Sequence, residues 1–133
     1  MLAVVDVGPL YAAADAADPD HARSLGALET SGMRLVVPAL VAGEVARLVA
    51  SRMGARVEAE LLKGLSEMDV EGPTPDDFLR MSELLRRHPS LGAPGAMVVA
   101  VCERLRCDLV VTLEAKRFAP VRARVGALRF LPS

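Results

Sequence analysis

The chain has 133 residues, with 16 basic against 17 acidic side chains for a net charge of −1, and 52% of it is hydrophobic. That length suits a single domain, residues 1–133, around one continuous core, and the apolar content excludes a disordered chain. Near-neutral charge argues against a strongly basic nucleic-acid module, and 3% aromatics argue against a base-stacking surface.

Leu2-Ala3-Val4-Val5 is a short continuous apolar run, the pattern of a strand buried on both faces. Asp6-Val7-Gly8-Pro9 stops it, and Leu10 to Ala17 reads as a short helix. Asp18-Pro19-Asp20 is a helix-start signal for His21 to Thr30, with Pro19 at the first helical position and Ser31-Gly32 closing it. Leu35-Val36-Val37 is a second buried strand. From Ala39 the period turns helical, is interrupted at Gly54, and resumes through Val57, Leu61, Leu62 and Leu65. Met68 to Glu71 reads as a short third strand. Thr74-Pro75-Asp76-Asp77 caps a helix carrying Phe78, Met81 and Leu84, and Pro94 opens another through Leu105. Leu109 to Thr112 is a clear buried strand; a helix over Arg117 to Arg124 and a strand over Ala127 to Leu131 follow. Strands alternating with helices imply a three-layer α/β fold with a parallel sheet.

No apolar run approaches the ~20 residues of a membrane span, and Asp6 interrupts the N-terminal run too early for a signal peptide. Cys102 and Cys107 match no zinc or CxxC spacing and read as reduced buried thiols, which suits a cytoplasmic protein.

In an open parallel sheet, ligands bind just beyond the carboxyl ends of the strands. Asp6 directly follows the first strand, and Glu114 follows Thr112 by two residues, so both acids are expected at one sheet edge. Glu44 stands four residues from both Leu40 and Leu48 in the most apolar helix, on their stripe. An acid there demands a partner, and Arg47 or Arg52 is the plain structural choice. Three carboxylates converging on one edge instead suggest a site for a hard divalent cation, Mg²⁺ or Mn²⁺, that would assist hydrolysis of a nucleic-acid strand. Lys116 and Arg117, just past Glu114, stand where they could contact a substrate phosphate. His21 and His88 have no nucleophile in a triad pattern, and no glycine-rich phosphate loop is present.

Four segments in this order resemble the PIN-domain proteins of the VapC toxin type. They are Val4-Val-Asp6-Val-Gly-Pro-Leu-Tyr11, Val37-Pro-Ala-Leu-Val-Ala-Gly-Glu44-Val45, Leu91-Gly-Ala-Pro-Gly95-Ala96 and Asp108-Leu-Val-Val-Thr112-Leu-Glu114-Ala-Lys-Arg-Phe118. The resemblance implies a five-stranded parallel sheet of order 3-2-1-4-5, a homodimer, a VapB-type antitoxin partner and Mg²⁺-dependent endoribonuclease activity on RNA. Carried over by position, Asp6, Glu44 and Glu114 are the catalytic and metal-binding acids, and Thr112 supports them by a hydrogen bond. The remaining acid of the pattern falls on Gly95, which offers no ligand. Glu103 stands about 12 Å further along that helix, and Asp108 precedes its strand at the opposite sheet edge, so neither replaces it. The sequence therefore leaves two readings, an attenuated ribonuclease toxin and an inactive PIN-fold module that holds RNA or an antitoxin.

Overall fold

The computed structural model describes residues 1–132. In chain order the elements are β1 Leu2–Val5, α1 Val7–Ala14, α2 His21–Leu28, β2 Arg34–Pro38, α3 Ala39–Met53, α4 Ala55–Leu65, β3 Asp69–Glu71 and α5 Pro75–Arg87. A 3₁₀ turn at Pro89–Leu91 leads into α6 Gly92–Arg104, β4 Leu109–Val111, α7 Ala115–Phe118 and β5 Arg129–Leu131. The five strands form one sheet of order β3-β2-β1-β4-β5, every pair parallel. This is the architecture the sequence implied.

The inner strands are apolar because helices cover both sheet faces. Ala3, Val4, Val5, Val37, Val110 and Val111 are completely buried. On α3 the stripe Val41, Val45 and Val49 repeats every four residues and is likewise fully buried. α3 ends and α4 begins at Gly54, whose φ of 88° lies in the left-handed region that favours glycine. A capping box fixes the start of α5: Asp77 N–H donates to Thr74 Oγ1 (3.1 Å) and Thr74 N–H donates to Asp77 Oδ2 (3.0 Å).

At its other end, α6 closes with paired turn bonds. Cys107 N–H donates to the Cys102 carbonyl (2.8 Å) and Arg106 N–H to the Glu103 carbonyl (3.3 Å), with Arg106 at φ 54°. Cys102 and Cys107 are both free and buried.

Several helix boundaries differ from the sequence reading, and three of the differences have a clear local reason. α1 starts at Val7 rather than Leu10, because a proline in the first turn forfeits no intrahelical hydrogen bond, so Pro9 is accommodated at the third position. Pro19 precedes α2 instead of opening it. Asp18 Oδ1 accepts Asp20 N–H (2.8 Å) in a side-chain turn, and His21 Nδ1 lies 2.8 Å from the Ala12 carbonyl, tying α2 to α1. α7 spans Ala115–Phe118 rather than Arg117 to Arg124, since Pro120 interrupts any continuation.

β1 and β4 are neighbours, yet the chain leaves β1 in one direction and reaches β4 only after visiting β2 and β3. The crevice at the carboxyl ends of this pair is where an open parallel sheet places a ligand.

Candidate active site

Asp6 leaves β1 with its N–H donating to the Val111 carbonyl (2.9 Å), so β1–β4 pairing fixes its position. Its side chain is 2% exposed. Oδ2 accepts from Thr112 Oγ1 (2.8 Å) and from Arg117 Nη2 (3.1 Å). Oδ1 is buried with no partner. A buried carboxylate oxygen without a donor is costly, and the fold retains it.

Thr112 follows β4 and is pinned by its own N–H on the Leu131 carbonyl (2.8 Å). Its hydroxyl works in both directions, donating to Asp6 and accepting from Glu114 N–H (3.0 Å). One hydroxyl thereby couples the ends of two strands. The Glu114 side chain is 60% exposed, and its Oε2 lies 3.1 Å from Arg117 Nη1. A single guanidinium thus stands between the carboxylates of Asp6 and Glu114, its carbon 5.3 Å from the centre of the Phe118 ring. Its Nε is buried and unpaired.

Glu44 sits at the edge of the α3 stripe rather than within it, and Arg47 grips it through Nε (3.0 Å) and Nη2 (2.7 Å). Those hydrogen bonds hold its carboxyl below the usual range, outweighing the opposing effect of partial burial. The structure here has the plain ion-pair arrangement the sequence offered as an alternative.

Asp6, Glu44 and Glu114 nonetheless line one cleft of about 580 Å³, together with Asp20, Ser90 and Arg117. Asp20 enters this wall although the sequence marked it only as a helix start, and it pairs with Arg23 at 3.1 Å. Nothing in local periodicity signals that contribution, because the α1–α2 turn brings it there. An adjoining depression of about 730 Å³ carries Arg23, Lys116 and Thr112 and shares Ser90, Glu114 and Arg117 with the cleft. Lys116 is exposed at this rim, while Arg117 is committed to the two acids.

Gly95 is buried in the first turn of α6. A Cβ there would lie 3.7 Å from Arg117 Nη2 and 3.3 Å from Leu91 Cβ, so this position faces the guanidinium at close quarters. Glu103 and Asp108 are engaged elsewhere, by Arg80 and Arg129 respectively.

These residues do not fit a divalent ion as they are arranged. Among the described residues no three His, Cys, Asp or Glu side chains come together as a metal site. Asp6 offers one bare oxygen, the adjacent helix offers only Gly95, and a cation already lies against the other Asp6 oxygen.

A model of the PIN domain family matches residues 3–122. Ribonuclease VapC26 of Mycobacterium tuberculosis is 28% identical over 131 residues, which is 96% of each chain. The chain's fold is similar to that of VapC20 of Mycobacterium tuberculosis, described as a Sarcin-Ricin loop cleaving toxin, with a TM-score of 0.75 and 21% identity over 81% of this chain and 86% of that one. VapBC2 from Rickettsia felis, solved with a DNA fragment from its promoter, gives 0.67 and 14% over 98% of each. A toxin-antitoxin complex from Klebsiella pneumoniae gives 0.69 and 20% over 90% and 92%.

Proposed function

The chain belongs to the PIN-domain family, and on that premise we propose that it is a VapC-type ribonuclease of attenuated activity. Its substrate is RNA, and the cleft at the ends of β1 and β4 is where the strand lies. One observation carries the reading: Asp6, Glu44 and Glu114, distant in sequence, open onto a single cleft in which the remaining acid of the pattern is Gly95. The name of the M. tuberculosis relative supports the reaction class.

Each residue has a part in this reading. Lys116 and Arg23 at the rim supply positive charge for flanking phosphates. Glu114 is the exposed carboxylate, placed to accept a proton at Oε1 while Oε2 rests on Arg117. Thr112 and Arg117 orient Asp6. Activity is attenuated because no residue at position 95 contributes charge.

The toxin-antitoxin relatives support a VapB-type antitoxin as partner, the resemblance adds a homodimer, and the free buried cysteines support a cytoplasmic location. No described helix is long and apolar enough to cross a membrane.

A second reading, a module that binds RNA or an antitoxin without cleaving, is favoured by the neutralisation of Asp6 by Arg117. Fluorescence anisotropy with a labelled RNA, run beside a cleavage assay, separates the two. Binding with slow cleavage that Glu114→Gln abolishes is the expected result. RNA binding with no cleavage by the wild type leaves only the second reading, and neither binding nor cleavage sinks the RNA reading altogether.

A further inference from the structure

The disagreement between the family pattern and this cleft has an internal logic. Asp6 is almost completely buried and so needs a compensating positive charge. Arg117 provides it through a 3.1 Å contact and reaches Glu114 at the same distance. A guanidinium cannot be deprotonated in a protein, so that charge is permanent. Carried on α7, three residues before Pro120, it never has to be captured from solution.

Gly95 is the other half of the exchange. A Cβ at position 95 would stand 3.7 Å from Arg117 Nη2, so a carboxylate carried there would compete with Asp6 and Glu114 for the same guanidinium. Three carboxylates around a divalent ion carry a net charge of minus one. Asp6 and Glu114 around Arg117 carry the same net charge. One acid and one metal ion have been traded for glycine and arginine, with the local electrostatic balance unchanged.

We propose that Arg117 is a built-in counter-cation that holds the place of a divalent ion on Asp6 and keeps the cleft metal-free. A divalent ion approaching Asp6 meets a like charge already in contact with it, and must also shed water that Mg²⁺ and Mn²⁺ release reluctantly.

Mn²⁺ uptake by the full-length chain tests this without RNA, so its outcome is independent of whether the cleft cleaves RNA. Calorimetry is run on the wild type, Gly95→Asp, Arg117→Gln and the double variant, with circular dichroism verifying the fold because position 95 is tight against Leu91. The wild type is expected to take up no Mn²⁺, and Gly95→Asp alone little, since Arg117 claims the new carboxylate. The double variant is expected to bind at least about tenfold more tightly than either. The proposal is overturned if Gly95→Asp alone binds as tightly as the double variant, or if removing Arg117 from a folded chain changes nothing. Should the glutamine variants not fold, the wild type still decides: paramagnetic broadening of the amides around Asp6 by Mn²⁺ overturns the proposal, and their persistence supports it.

Discussion

The two ends of α6 place buried acids against arginines to opposite effect. Near its C-terminus, Glu103 accepts from Arg80 Nε (2.7 Å), Arg80 Nη2 (2.9 Å) and Arg124 N–H (2.8 Å), while Asp77 accepts from Arg104 Nε and Thr74 N–H. Both oxygens of each acid are satisfied. Near its N-terminus, Asp6 is as deeply buried as either, yet one oxygen has a hydroxyl and a guanidinium while the other has nothing. A saturated buried acid is a structural clasp. A half-saturated one facing a cleft carries a cost the fold does not need for packing, which is the signature of a site.

The clasp gives the largest expected effect. Arg80→Ala leaves the Glu103 carboxylate, 7% exposed, without its main partner, and should cost about 3 kcal/mol in urea denaturation. Its pH dependence follows with a definite sign. Burial pushes the Glu103 carboxyl up, but the hydrogen bonds from Arg80 and Arg124 outweigh this and hold it below its usual 4.5. A folded-state value below the unfolded one means the stabilisation is fully present above that pH and is lost as pH falls through the lower folded value. Glu103→Gln should flatten the acid limb of the stability curve, and an acid limb identical to wild type would show that Glu103 is not the clasp described.

Asp6 should behave in the contrary way. Asp6→Asn keeps an oxygen to accept from Thr112 and Arg117 and removes a charge whose burial is only half compensated. The two effects oppose, so stability should stay within about 1 kcal/mol of wild type while RNA cleavage disappears. If this variant unfolds as readily as Arg80→Ala, the two ends of α6 do not differ in kind and the carboxylate at position 6 is structural.

How much of this was legible in the chain depends on range. The buried strands, and Asp6 and Glu114 at one sheet edge, follow from apolar runs and the residues that end them, because strand ends are marked in sequence by a change of polarity, whereas the sheet order and the missing acid at Gly95 come only from the family resemblance. The Thr74 capping box was equally plain, its partner standing three residues away. What escaped was direction at the next level. Glu44 lies on the expected helix, but a side chain at the margin of a stripe can turn to either side, and Arg47 three residues on turned it outward. The sequence places Arg117 just past Glu114, where it could contact a phosphate or begin a solvated helix, but its pairing with Asp6, 111 residues away, is invisible in the chain and arises only through β1–β4 pairing. Asp20 reaches the cleft for the same reason, through the packing of α2 against α1.

Glu44 supplies the smallest effect and the finest discrimination. Its pair with Arg47 is solvent-exposed on the arginine side, and such pairs contribute little to stability because water and salt screen them. Glu44→Gln should therefore leave the melting temperature unchanged. Its influence on RNA should still be measurable, since Glu44 lines the same cleft as Glu114 and its carboxyl is held ionised by Arg47. Removing that negative charge, and releasing Arg47 from it, should tighten RNA binding at low ionic strength, with the gain fading as salt is raised. A salt-independent loss of cleavage with unchanged affinity would instead place Glu44 beside Glu114 in the chemistry, as a second acid of the reaction.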